Sequence, residues 1–360
     1  MLRPAHRRRL LRLVVALALV AGIAGSTSST ATAAPRQEAA DAEAFTTLAL
    51  LNGWSNYGSG SNAAKVSVSN GVVRFKGAIE TAGTDPVAFV LPPGMRPSKR
   101  VFIPVTLCSA TNGRLLIRPN GTVEVDSEGP FSDAQCFTSL EGASFTLAPA
   151  GQTDLTLLNG WVGGPSSTRP ARVANIGGVI HFSGAISTAG ASNRPFVLPA
   201  GMRPAATVFV PVDLCGASDG RLRITPSGTV TVQTDDGFAD AQCFTSLDGA
   251  HFVLNPPSAG LLTLTNGWTG QPYHTRKPRA TLVGGAVQLS GAIANGTSAE
   301  LFILPVGLRP TKLVYIQVDL CGAANGRLII EPDGTTEVEA EIEFSDAQCF
   351  LSLEGASFAR

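Results

Sequence analysis

The sequence predicts an all-β protein made of three tandem antiparallel β-sandwich domains, jelly-roll-like in plan, each closed by one disulfide. Three observations predict it. The tripeptide Asn-Gly-Trp occurs at 52–54, 159–161 and 266–268, a spacing of 107 residues, which is too long for a solenoid unit and suits a whole small β-domain. Six cysteines at 108, 136, 215, 243, 321 and 349 fall one pair per repeat, 28 residues apart each time. Within each repeat, short apolar runs of period two alternate with Gly, Pro and Asn turns, and no amphipathic helical period is evident.

The chain of 360 residues opens with the basic stretch "MLRPAHRRRLLR", the apolar "LVVALALVAGIAG" and the small-residue site "ATAAP". This order reads as a secretory signal peptide over 1–33, with cleavage after Ala33. Arg7-Arg8 also leaves a twin-arginine route open. The apolar run Leu13–Gly25 is too short for an ordinary membrane span. A flexible segment over 34–45 is expected next, then the repeats at 46–148, 153–254 and 260–358.

The second copy illustrates the expected strands. Leu155 and Leu157 lead to the turn at Asn159-Gly160, and "VIHFSGAI" alternates after Gly177-Gly178. "RPFVLPAGMRP" runs a short strand into a Pro/Gly corner, and "TVFVPVDLC" carries Pro211, which suits an edge or bulged position because proline has no N–H for a ladder. "RLRITPSGTVTV" reads as a hairpin about Pro226-Ser227-Gly228, and a last strand follows "DAQCFTSLDGAHF".

Independently folding repeats would each close their own cysteine pair, giving Cys108–Cys136, Cys215–Cys243 and Cys321–Cys349. Such bridges fit export to an oxidising compartment. Zinc would need more ligands, closely spaced, than two distant cysteines and no shared histidine provide. No metal or cofactor is expected.

Charge and motifs narrow the function classes. The signal carries five arginines and no acid, leaving 22 basic against 27 acidic residues and a charge near −5. The scattered cations lack the stripe of a phosphate-backbone binder, so nucleic acid is not an expected partner. His181, His251 and His274 occupy different places in their repeats, which rules out a shared catalytic histidine. The only recurrent acids are Asp133/Asp240/Asp346 and Glu141/Asp248/Glu354, the one conceivable source of a glycosidase-type pair. A non-enzyme is expected.

The order "LLNGW…GVVRFKGAI…FVLPPGMRP…VFIPV…GRLLIRPNGTVEV…SLEGASF" resembles the compact β-sandwich head domain at the C-terminus of many phage tail-fibre and minor tail proteins. The resemblance covers nearly all of each repeat. It implies surface recognition rather than chemistry, and a trimeric arrangement of heads. Three features depart from the pattern: a signal peptide, a cysteine pair per unit, and three units in tandem without a fibre shaft. They point to a secreted bacterial protein built from the same domain, either an adhesion protein for a surface glycan or extracellular protein, or an assembly unit forming an intramolecular pseudo-trimer or a homo-oligomer.

Recurrent residues are read first as scaffold. Trp54, Trp161 and Trp268 are expected packing anchors. Arg96, Arg203 and Arg309 at the corner are expected to bond loop carbonyls or a carboxylate. Arg114/Arg221/Arg327 are expected to pair with Asp133/Asp240/Asp346 beside the bridge, and Gln135/Gln242/Gln348 to bond backbone in their own loop. The loop after each tryptophan differs in every copy, and a varied loop on a fixed frame is where binding is expected. Its candidate ligand-binding residues are Tyr57, Arg169, Arg172, Tyr273, His274, Arg276, Lys277 and Arg279.

Overall fold

The computed structural model describes residues 43–147, 151–235 and 237–360. The expected signal peptide and all but the last three residues of 34–45 lie outside the described residues. Of those three, Glu43 accepts from Ser67 Oγ at 2.7 Å and pairs with Arg74 at 3.3 Å, so it belongs to the fold.

The first repeat shows the architecture. One sheet orders its strands Thr46–Thr47, Lys65–Ser69, Val72–Lys76 and Ser144–Thr146. After Gly77 the chain continues as Ala78–Thr81, between Trp54–Asn56 and Thr138–Ser139. The facing sheet orders Val87–Val90, Thr122–Ser127, Asn112–Ile117 and Val101–Thr106. All these pairings are antiparallel. Period-two alternation sends Val101, Ile103, Val105, Leu115, Ile117, Val123 and Val125 from the facing sheet onto Val73, Phe75, Ile79 and Phe145, which makes the core of a sandwich. Equivalent cores surround Phe182, Phe196 and Phe252 in the second repeat and Leu289, Phe302 and Phe358 in the third.

The bend after the central strand explains a glycine and an acid together. Gly77, Gly184 and Gly291 have φ of +102°, +87° and +92°, and a Cβ there would overlap the carbonyl oxygens of Ala63, Pro170 and Lys277. Each bent glycine's N–H is accepted by a buried carboxylate, Glu141 at 2.9 Å, Asp248 at 3.1 Å and Glu354 at 2.7 Å.

Three expectations need correction. Six-residue helices Phe131–Cys136, Phe238–Cys243 and Phe344–Cys349 precede the last strands, where no helix was read. Each buries one alanine and half-buries one phenylalanine three residues before it, a single i, i+3 pair too short to register as a period. The strand expected in "RPFVLP" shrinks to one bridge, Val197↔Thr229, because Pro195 and Pro199 leave few donors for a ladder. The first paired segment of the second repeat is Thr153–Asp154, just ahead of Leu155.

The three disulfides close as expected, Cys108–Cys136, Cys215–Cys243 and Cys321–Cys349, with Cα separations of 5.6 to 5.7 Å. Each ties the short helix to the turn that follows an edge strand.

Those edge strands, Val101–Thr106, Val208–Asp213 and Val314–Asp319, contact one another. Pro104, Pro211 and Gln317 from the three strands surround a cavity of about 30 Å³. Around them the repeats bond in a closed cycle. Ser246 Oγ donates to Phe102 O, Ser352 Oγ to Phe209 O and Ser139 Oγ to Tyr315 O, all at 2.6 Å. The second repeat thus bonds the first, the third bonds the second, and the first bonds the third.

Candidate functional site at the repeat seams

Each tryptophan is fixed inside its own repeat. Trp54, Trp161 and Trp268 are buried, and their Nε1 donate to Asp85 O, Ser192 O and Ser298 O at 2.8 to 2.9 Å. Their rings meet Phe131, Phe238 and Phe344 of the short helices edge to face. Arg96, Arg203 and Arg309 donate from Nε to Leu91 O, Leu198 O and Leu304 O at 2.8 Å, closing the Pro/Gly corner.

The variable loops run along the seams between repeats, which the sequence did not indicate. Gly60 O accepts from Leu313 N–H at 3.1 Å, Ser167 O from Arg100 N–H at 3.3 Å and His274 O from Thr207 N–H at 3.2 Å. Each loop therefore clasps the facing sheet of a neighbouring repeat through its backbone.

Most of the loop cations are engaged within the protein. Arg169 is buried and donates to Leu147 O at 2.8 Å and Thr146 O at 2.5 Å, with Asp248 at 3.8 Å. Arg276 repeats this arrangement, bonding Val253 O at 2.8 Å and Glu354 at 2.7 Å. Both arginines fasten the last strand of the preceding repeat and face the acid of the bend. Arg172 pairs with Asp154 at 2.6 Å, and Arg279 donates to the carbonyls of Pro257, Ser258 and Ala259. Tyr57 is half-buried with its ring 4.7 Å from Phe137. Tyr273, His274 and Lys277 remain exposed. Tyr273 and His274 share a groove, while Lys277 lines a separate shallow one beside Leu261 and Pro278.

The arginine after the turn glycine bonds across the seam, and its expected partner in the short helix is corrected. Arg114 Nε bonds Asp126 at 3.0 Å, while its Nη1 reaches Asp213 Oδ2 and Leu214 O of the second repeat at 3.4 Å. Arg221 Nη1 reaches Asp319 at 3.2 Å and Leu320 O at 2.9 Å, and Arg327 Nη1 reaches Leu107 O at 2.9 Å. The cross-strand neighbour in the hairpin register lies nearer than the helix, so the helical aspartates are bypassed. The glutamines are corrected likewise: Gln135, Gln242 and Gln348 donate to Gly83 O, Gly190 O and Gly296 O, 52 residues earlier in the chain.

Phenylalanine rings and guanidinium planes finish the seams. Phe102 meets Phe244 at 4.9 Å, Phe209 meets Phe350 at 4.9 Å and Tyr315 meets Phe137 at 4.9 Å, with Arg114, Arg221 and Arg327 stacked on them. Between the second and third repeats the seam opens into a groove of about 410 Å³, lined by Phe209, Arg221, Arg223, Tyr273, His274 and Phe350.

The buried carboxyls of the seams and bends are bound by scaffold groups. Burial pushes Glu141, Asp213, Asp248 and Asp319 up to about 7, and facing arginines for the aspartates, or backbone and amide donors and Lys76 for Glu141, offset only part of this. His181 and His251 stack at 5.5 Å, and burial holds both below the usual histidine range. Among the described residues, no helix is long and apolar enough to cross a membrane.

No family model and no curated protein matches the chain. A crystal structure of BBS1N in complex with ARL6DN, soaked with mercury, aligns at 13% identity with a TM-score of 0.14, over 85% of this chain and 95% of that one.

Proposed function

We propose that this is a secreted, non-enzymatic recognition protein, in which three β-sandwiches form one pseudo-trimeric head that engages a surface glycan or an extracellular protein. The observation that carries this reading is the place of the third loop. Its backbone is clasped to the neighbouring repeat, while the side chains of Tyr273 and His274 stay exposed on a groove. A ring held rigidly and left half in water is a common recognition element. The signal peptide read in the sequence and the three disulfides suit export. The recurrent acids Glu141, Asp248 and Glu354 are bound to glycine N–H groups inside the sandwiches, which argues against their use in catalysis.

Screening the mature protein on glycan arrays and on cell surfaces tests the reading. Binding that is lost in Tyr273→Ser with the fold intact supports it, and the absence of any target on either overturns it.

A second reading, favoured by the closed cycle of seam bonds, takes the molecule as an assembly unit, a single-chain counterpart of a trimeric fibre head. The resemblance to such heads supports both readings. Small-angle scattering on the mature protein should return a radius of gyration of about 20 Å, the value for one compact body of this length. A rod-like profile would refute the pseudo-trimer.

A further inference from the structure

We propose that the groove between the second and third repeats binds a carboxylated saccharide; this rests on the recognition function proposed above. The three seams use equivalent positions, so the chain supplies its own comparison. At the first seam Arg114 is neutralised by Asp126 at 3.0 Å, and Leu116 is buried beside it. At the seam that closes the cycle Arg327 is neutralised by Glu339 at 2.7 Å, and Ile329 stands in the place of Leu116. Between the second and third repeats the carboxylate gives way to the Gln233 amide, whose Oε1 accepts from Arg221 Nε at 3.0 Å, and the aliphatic residue gives way to Arg223. Each change adds one positive charge at its own position on the groove wall, while on the same strand Asp219 stands where the other copies have Asn112 and Asn325.

Among the described residues, no acid lines the groove. Asp319 is taken by Arg221 at 3.2 Å, and Asp235 stands beside Gly322 at the rim. Arg223 is half-buried, and among the described residues no hydrogen bond or ion pair engages it. It lies two residues from Arg221 on the strand Asp219–Ile224, hence on the same face. A guanidinium partly stripped of water, with no partner among the described residues, gains strongly from a carboxylate, whose two oxygens match its fork of donors.

The aromatic half of the groove selects the rest of the ligand. Tyr273 is 59% exposed, and its ring is held at 5.6 Å from Phe350. Tyr273 and His274 sit at φ of 52° and 63°, where serines serve in the second repeat. Bulky residues in left-handed backbone are uncommon, and such strain concentrates at binding sites. An exposed ring beside two guanidiniums fits a pyranose that lays its C–H face on Tyr273 and its carboxylate on Arg223. The Gln233 amide N–H group and the His274 ring are placed for hydroxyls. An acidic peptide would satisfy Arg223 but brings no rigid C–H face to Tyr273.

Isothermal titration of the mature protein tests this, with glucuronate and N-acetylneuraminate as probes, glucose and N-acetylglucosamine as uncharged counterparts, and hexaglutamate as the peptide alternative. The acidic sugars should bind at least about tenfold more tightly than the uncharged ones, the loss expected for one charge-assisted contact. Arg223→Leu and Tyr273→Ser, each a residue this chain tolerates at an equivalent position, should each weaken binding about tenfold with an unchanged thermal midpoint. Equal binding of glucose, indifference to both substitutions, or binding of hexaglutamate alone would overturn the inference and leave the recognition reading standing. If the protein also bound no array glycan and no cell surface, both would fall.

Discussion

Asn52, Asn159 and Asn266 adopt φ near +50°, each followed by a glycine that is also left-handed. Asparagine tolerates this conformation and secures it here by donating from Nδ2 to Val87 O, Arg194 O and Glu300 O. The tripeptide is therefore a turn that delivers the tryptophan to its pocket. A sharper conformational demand sits at Gly184, with φ of +87° and no room for a Cβ. Gly184→Ala is expected to cost at least about 1–3 kcal/mol in urea unfolding from the backbone conformation alone. An unchanged midpoint would show that the bend does not need glycine.

Among the elements, the loop after each tryptophan carries two tasks that the sequence does not separate. Its backbone clasps the adjacent repeat, and in the second and third copies an arginine from it fastens the preceding repeat's last strand. Arg276→Leu would leave Glu354, 1% exposed, buried without its countercharge. We expect a loss of about 3–5 kcal/mol in chemical denaturation, while binding to an immobilised target per folded molecule stays unchanged. Loss of binding with full stability would instead place Arg276 in the recognition site. Of the candidates taken from the variation between copies, Tyr273 and His274 line the groove. Arg223, Arg221 and Gln233, which also line it, are absent from the candidate binding residues because they belong to a hairpin of ordinary strand character. Their signal was present in the copy-to-copy change from Leu116 and Asp126 to Arg223 and Gln233.

For the molecule as a whole, the seams and bends bury carboxyls in quantity. Glu141, Asp213, Asp248 and Asp319 keep their protons up to about pH 7 when folded, and release them near their ordinary values of 3.8 to 4.5 when unfolded. Between those limits the folded chain binds more protons, so raising the pH removes stability. His181 and His251 work in the opposite sense, held neutral when folded, and they cost stability as pH falls through 6.5. Between pH 6.5 and 8 the four carboxyls outweigh the two histidines. The thermal midpoint should fall across that interval, and a flat or rising midpoint would contradict the assignment.

Composition, period and cysteine spacing determined the sandwich, its three copies and its three bridges, because these depend on short-range patterning repeated three times. The strand alternation of "TVFVPVDLC" and the hairpin at Pro226-Ser227-Gly228 are legible for the same reason. The tertiary structure alone decided which edges meet. Pairing Ser246 with Phe102 O spans 144 residues, and pairing Arg221 with Asp319 spans 98. No local pattern encodes a contact between groups so far apart in the chain. A groove whose two walls come from different repeats exists only once those repeats have closed on one another.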